Sequence, residues 1–276
     1  MSALAENAAM RSVEPAADVT LARVIRSEWT KLWSLRSTRW SLFIAVLAQI
    51  GIGLLFAAIT MAHWNQLNFF QRLAFHSIDR SVAGYHLAQL AIGVLGVLVI
   101  SGEYGTGQIR SSLLAVPKRL PVLWAKLIVF AAVTFVLILI SALIGFFGAQ
   151  AIFTQHHVNV AIGAPNALRT VIGAALYLTA TAVICTALGT IIRSTAGAIS
   201  AYVGLLFVLP GVVALLPTSI DNSISPYLPI NAGTTVASAI NTGSGVSSTW
   251  GGFAVYCGYA ALLVVIAAVL LKRRDA

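Results

Sequence analysis

The chain of 276 residues is 59% hydrophobic and only 9% charged, and its formal net charge is +9. A soluble globular domain carries roughly a quarter of charged residues, so this composition excludes an ordinary soluble protein and indicates one embedded in a membrane. The basic excess is also typical of nucleic-acid binding, but its distribution along the chain, described below, gives it another meaning.

The amino-terminal region divides into a polar tail and an amphipathic segment. Residues 1–20 are polar and rich in Ala and Glu, and they predict a disordered cytoplasmic tail. They do not form a secretory signal, because no apolar segment follows an early basic cluster. Residues 21–35 then place apolar and Trp side chains on one half of a helix and basic side chains on the other, which is typical of a helix in the headgroup plane. Asp18 or Thr20 is a candidate cap for its start.

Glu28 lies on the apolar half of this segment. An unpaired carboxylate there would be costly. Two interpretations stay open: Glu28 is a tolerated exception, or it pairs with Lys31 or with a basic residue elsewhere in the chain.

Six long apolar segments predict an all-α membrane protein with six transmembrane helices in a single membrane domain, residues 21–276. Each has the roughly 20 residues that a helix needs to cross about 30 Å of hydrocarbon. The predicted spans are residues 41–61, 82–101, 122–153, 168–192, 196–216 and 251–271. Pro210 is expected to kink the fifth span near its outer end.

Lys and Arg residues lie mostly on one side of this six-span arrangement. Fourteen of the seventeen fall in the amino-terminal arm, the second and fourth connections and the carboxyl end, whereas Arg72, Arg80 and Arg169 fall on the other side. By the positive-inside rule both termini are cytoplasmic. The net positive charge is therefore a signal of membrane orientation and of attraction to anionic headgroups, and no nucleic-acid partner is expected.

The connection after the second span, residues 102–119, carries the most specific pattern of the chain. Gly105 and Gly107 allow a sharp change of direction, and Thr106 is a candidate N-cap. Apolar residues then recur at helical spacing, at Ile109, Leu113 and Val116. They predict a short helix over residues 106–116, which Pro117 would end. From the residues alone, an ordinary interfacial turn anchored by basic side chains is an equal alternative.

This connection resembles the signature of type-2 ATP-binding-cassette (ABC) exporter permeases. The residues that carry the resemblance are Glu103, Gly105, Thr106, Leu113, Leu114, Pro117, Arg119 and Lys126. Residues 21–38 are similar to the elbow helix of that family, through Glu28, Trp29, Lys31, Leu32 and Arg36. Residues 228–233 are similar to a stretch that is common in actinobacterial members.

The resemblance implies the permease subunit of an exporter in the plasma membrane. Its expected partners are a cytoplasmic ABC ATPase, a second permease copy that is identical or similar, and the lipid bilayer. ATP and Mg²⁺ would bind the ATPase, and no cofactor is expected on this chain. Residues 106–116 would be the coupling helix, with its apolar stripe buried only in a groove of the ATPase, and Glu103 would hold the junction by pairing with a basic residue such as Arg110. The implied coupling residues are Glu103, Thr106, Ile109, Arg110, Leu113, Val116, Pro117 and Arg119.

Motifs of enzymatic and ion-coupled chemistry are missing from the sequence. None of the four lysines follows a Gly, so there is no phosphate-binding P-loop, and no hydrolase or metalloprotease motif occurs. We therefore expect no enzyme. The predicted spans also lack the acidic, basic or His residues that ion-coupled carriers use at membrane depth, so energy for transport would come from a partner.

Two other classes of protein stay open, namely a passive channel or secondary carrier, and a membrane scaffold that transports nothing. The substrate is not identified by the sequence, although apolar spans favour an amphiphilic, drug-like or lipid-like compound. Five His residues fall on the outer side, where a metal-binding or pH-sensing role is less favoured than simple exposure in wet loops: His63, His76, His86, His156 and His157.

Overall fold

A computed structural model describes residues 20–116, 119–240 and 248–274, without the side chains of Arg110, Leu113 and Ala115. Its described residues form helices and connecting turns and contain no strand. Six helices are long and apolar enough to cross a membrane, which confirms the predicted all-α, six-span fold. These spans are span 1 (Arg36–Ala62), span 2 (Ser77–Gly105), span 3 (Leu120–His156), span 4 (Ala167–Ile192), span 5 (Thr195–Val213) and span 6 (Thr249–Arg273).

The first helix of the described chain covers Leu21–Ser34, and we keep the name elbow helix for it. Leu35 then adopts an extended conformation, and the helix of span 1 begins at Arg36. The elbow helix therefore ends at Ser34 and not at residue 38 as predicted, so Arg36 belongs to span 1. Thr20 occupies the N-cap position without a side-chain hydrogen bond, and Asp18 lies outside the described residues together with most of the predicted tail.

Short helical segments connect or interrupt the spans. The connection between spans 1 and 2, predicted to be the first outer connection, contains Trp64–Gln66 and Phe69–Leu73. The latter helix begins with a capping box in which Asn68 and Gln71 exchange hydrogen bonds. Span 2 is divided into Ser77–Val82 and Tyr85–Gly105, and span 3 is a helix over Leu120–Phe153 followed by a 3-10 turn over Thr154–His156.

Span 4 lies at the centre of the bundle and packs against spans 2, 3 and 6. The buried share is 78% in its most apolar stretch, against 22% in span 5 and 28% in spans 1 and 6. Because lipid tails are as apolar as Leu, close packing of small residues holds such helices together. Span 4 is accordingly rich in buried Ala, Gly and Thr.

Span 5 is distorted before Pro210. Its regular helix covers Thr195–Val203, π-helical turns follow over Gly204–Val208, and α-helix resumes over Leu209–Val213. The proline ring would collide with the carbonyl of Leu206 four residues earlier, and the wider π turn accommodates it. The predicted disturbance is thus a π segment that precedes the proline.

Neutral polar side chains join four of the spans inside the bundle. Gln89 of span 2 accepts hydrogen bonds from the Tyr177 hydroxyl at its Oε1 and from the Tyr202 hydroxyl, at 2.8 Å, at its backbone carbonyl. The hydroxyls of Thr181 and Tyr256 are also 2.8 Å apart. Because a buried polar group is costly unless it is hydrogen-bonded, these pairs fix spans 2, 4, 5 and 6 relative to one another.

The segment between spans 5 and 6, which we call the outer segment after its predicted side, folds back onto the bundle. It contains helices over Thr218–Ile224 and Pro229–Thr234 and 3-10 turns over Ser225–Tyr227 and Thr235–Ala237. The second helix and the last turn pack on spans 4 and 6, so the carbonyl of Val236 comes to lie directly against Gly173.

Candidate functional site

The elbow helix presents two different apolar faces. Val24, Glu28 and Leu32, spaced by four residues, are buried, and the helix packs against span 3. Trp29 and Trp33 lie on another side and are 49% and 38% exposed, with their ring centroids 5.8 Å apart. The side chains of the predicted apolar half therefore do not all have the same surroundings: some pack against the bundle and others are exposed on the surface of the protein. Glu28 lies on the face that packs against the bundle.

Four buried or half-buried charges meet between the elbow helix, the end of span 2 and the start of span 3. We call them the charge cluster: Glu28, Lys31, Glu103 and Lys126. The Lys126 ammonium lies 2.7 Å from Glu28 Oε2 and 2.7 Å from Glu103 Oε1. The Lys31 ammonium lies 2.9 Å from Glu28 Oε1 and 3.2 Å from Glu103 Oε1. The cluster therefore binds three elements together with no net charge.

Burial makes this arrangement sensitive to the loss of any member. Lys126 is 1% exposed and Glu28 6%, so each ion depends on its partners and not on water for solvation. Desolvation acts to lower the pKa of Lys31, but the hydrogen bond and charge of Glu28, followed by those of Glu103, outweigh it and raise that pKa above its ordinary value of 10.5. Lys31 is therefore protonated at any physiological pH, and its stabilising contribution is lost only in strongly alkaline solution.

The contacts of the charge cluster show which of the hypotheses about its members, made from the sequence, are correct. Of the two interpretations of Glu28, the paired one is correct, and its partners are both Lys31 and Lys126. Glu103 also pairs with these two lysines, whereas the side chain of Arg110, the suggested partner, lies outside the described part. The sequence pattern that could have indicated a buried cluster without net charge is the presence of two acidic residues and two lysines at the ends of apolar segments.

The short helix after span 2 covers Gln108–Ala115. Gly107 precedes it with φ of +71°, a left-handed conformation that favours glycine, so the predicted sharp turn lies there. Thr106 does not cap this helix as predicted. It is the C-cap of span 2 instead, and its hydroxyl donates to the Gly102 carbonyl four residues earlier, at 3.0 Å, as Thr side chains in helices commonly do.

The described apolar side chains of the short helix and its C-cap face in opposite directions. Ile109 and Val116 are 3% and 8% exposed and pack against Val24 of the elbow helix and the start of span 3. The prediction that this stripe is buried only by a partner is therefore wrong for these two residues, because the elbow helix already covers them. Leu114 is 82% exposed, so the short helix also presents an apolar side chain outward.

Arg119 connects the start of span 3 to the end of span 6. It donates to the carbonyl of Leu271 at 3.4 Å and to that of Arg274 at 3.0 Å, and a cation is favourable at the carboxyl end of the span 6 helix. A cleft of about 410 Å³ separates the elbow helix from the short helix, and polar residues including Ser27, Gln108 and Ser111 line it. Pro117 lies outside the described residues.

The five histidines, all among the described residues, show no metal-binding arrangement. Among the described residues, no group of three or more His, Cys, Asp or Glu side chains lies close enough to hold a metal ion. His156 stacks on Trp64 with ring centroids 5.7 Å apart, and the guanidinium carbon of Arg72 lies over the ring of the same Trp, 5.7 Å from its centroid.

These features define a polytopic membrane protein with a charged junction beside a short helix at one end of the bundle. Comparison with protein families places it more narrowly: the model of the ABC-2 family transporter protein matches residues 70–276. The chain belongs to this family, and it is a multi-pass permease component of an ABC transporter. A search of curated proteins finds no match.

Proposed function

We propose that this chain is the permease subunit of an ATP-driven exporter and that an ABC ATPase docks at the short helix Gln108–Ala115. The observation that carries the proposal is the charge cluster, because it connects the short helix to three elements of the bundle. In this proposal both termini and the short helix are cytoplasmic, in agreement with the distribution of Lys and Arg.

The contacts indicate how a movement of the ATPase would reach the spans. Ile109 and Val116 attach the short helix to the elbow helix and to span 3, and Lys31 of the elbow helix also donates to Ser112 at 3.1 Å. Glu103, one turn before the short helix, is held by Lys126. A push on the short helix would therefore move the elbow helix, span 2 and span 3 together.

The outward face of the short helix supplies the contact itself. Leu114 is exposed on the same short helix as the polar residues Gln108 and Ser111, and an apolar side chain with polar neighbours is typical of a protein interface. The ATPase would bind ATP and Mg²⁺, and this chain would bind neither.

We further propose that the transporter contains two permease copies, identical or similar. Span 4 fills the middle of this subunit with buried side chains, so the described bundle leaves no central path of its own. A path between two copies would be lined by less buried spans such as 1 and 5. Their apolar surfaces suit an amphiphilic, drug-like or lipid-like substrate.

The substitution Leu114→Asp tests the docking proposal. A charge at the centre of an apolar contact is expected to weaken binding of the ATPase by roughly ten- to a thousandfold, as for the loss of an interface hot spot. The measurement is co-purification of an ABC ATPase that is co-expressed with this chain, together with ATP-dependent efflux.

The matched control is Leu73→Asp, because Leu73 is also a largely exposed Leu, at 70%, but lies in the first outer connection. It should retain the ATPase and transport. If Leu114→Asp retains both as well as the control does, the short helix is not the docking site.

A further inference from the structure

A cavity of about 390 Å³ lies beside the charge cluster, between the elbow helix and the cytoplasmic-end halves of spans 1, 2 and 3. Such a volume is within the range of small-molecule sites, which are mostly apolar with a few polar groups. Its apolar wall is formed by Leu35, Leu95, Leu98, Val99 and Val129. All four members of the charge cluster line its polar end.

The hydrogen-bonding capacity of the two lysines in the cluster is already used. An ammonium has three donors. Lys31 donates to Glu28, Glu103 and Ser112, and Lys126 donates to Glu28, Glu103 and, at 3.5 Å, to the Val99 carbonyl. An anionic ligand would therefore find no free donor on these lysines and would face two carboxylates.

The carboxylates, by contrast, have an acceptor to spare. Each oxygen of Glu28 accepts from one lysine, and Oε1 of Glu103 accepts from both. Oε2 of Glu103 is buried, and within the described part of the chain no donor reaches it. A buried acceptor without a partner is costly, so the site favours a ligand that brings a donor.

We propose that this cavity binds an amphiphile with a primary ammonium head, which donates to Glu103 Oε2 while its chain lies along the apolar wall. Glu103 lines the polar end of the cavity, and the ammonium head would approach its unpartnered oxygen from there while Oε1 keeps both lysine contacts. The position suits such a ligand, because Trp29 and Trp33 of the adjoining elbow helix face outward in the manner of residues at the headgroup level.

Two sources could supply this chemistry: a membrane phospholipid with an ethanolamine head, or a single-chain alkylamine. The experiment uses the purified permease without any ATPase and measures bound ligand by native mass spectrometry. Phosphatidylethanolamine is compared with phosphatidylcholine of the same acyl chains, and stearylamine with stearyltrimethylammonium. Each pair has the same charge and differs in N–H donors.

We expect the N–H member of at least one pair to bind about tenfold more tightly, as for one charge-assisted hydrogen bond. Preference in the phospholipid pair identifies a lipid, and preference in the amine pair alone identifies a single-chain compound. Equal binding within both pairs would overturn the proposal, and this comparison needs no variant.

A variant locates the site. Leu98→Trp fills the cavity and should abolish the preference, whereas Leu87→Trp, an exposed position on the same helix, should keep it. If the preference survives in Leu98→Trp, the ammonium binds elsewhere and the assignment is wrong. The outcome is independent of ATPase docking, so it can fail or succeed without the proposed function.

Discussion

Lys126 lies in the second turn of the span 3 helix, and its ammonium is held between two carboxylates that come from different parts of the chain. A buried cation of this kind is costly to desolvate, so its value depends on the completeness of its contacts. The four charges are balanced, and removing one of them leaves another ion buried without its partner.

The substitution Lys126→Met should therefore lower the free energy of unfolding by about 3–5 kcal/mol, the usual cost of breaking a buried ion pair. A second change, Glu103→Gln, restores the neutrality of the cluster and should recover part of that loss. The measurement is denaturant unfolding of the purified protein in detergent.

Lys31→Met is the matched control. The Lys31 side chain is 29% exposed against 2% for Lys126, so water partly replaces its contacts and the loss should be smaller. Equal stability of Lys126→Met and the unsubstituted protein would show that the cluster contributes little to the fold.

At the scale of elements, close packing of backbone segments explains residues that hydrophobic periodicity does not predict. A Cβ on Gly173 of span 4 would lie 1.9 Å from the Val236 carbonyl, so that glycine allows the outer segment to sit against the bundle. The same segment is fastened by Arg169, which donates to the Ser238 carbonyl at 2.9 Å, and by Asp79, which accepts from the Ala239 amide.

Gly173→Ala should destabilise the protein by about 1–3 kcal/mol, as overpacking of a well-packed site does. The contact is with backbone, which cannot move aside like a flexible side chain. Gly258→Ala in span 6 is the control, since a Cβ there meets nothing within 4 Å, and it should be neutral or slightly stabilising. Thermal unfolding of the two variants in the same detergent distinguishes them, and equal midpoints would mean that the outer segment is not packed as described.

At the scale of the whole molecule, the elbow helix, the short helix and the carboxyl end of span 6 lie at one end of the bundle. The contacts of Arg119 with the end of span 6 and of Glu28 with Lys126 bring them together. This end carries most of the basic residues, which is the basis for proposing that it faces the cytoplasm.

Single cysteines test this orientation. In a background with Cys185 and Cys257 replaced, Asn65→Cys should react with a membrane-impermeant maleimide in intact cells, and Ser111→Cys should react only after the cells are opened. Both positions are exposed in the fold and lie at opposite ends of the bundle, so access to the reagent decides the result. The reverse pattern would invert the proposed topology.

The sequence by itself determined the class of this protein, the number of spans and their approximate bounds. Those properties follow from local quantities, namely the length of apolar runs and the placement of Lys and Arg. It also predicted the short helix and the distortion before Pro210, because Gly107 and the proline act on their immediate neighbours.

Only the tertiary structure decided which side chains meet. Glu103 and Lys126 are separated along the chain by the whole short helix. Glu28 belongs to the elbow helix, and no sequence pattern predicts that this helix packs on span 3. Likewise, an apolar stripe on the short helix is compatible with a cover from this chain or from a partner, and the elbow helix proves to be the cover for Ile109 and Val116. Helical periodicity states which residues share a face, but the packing of distant elements determines what that face contacts.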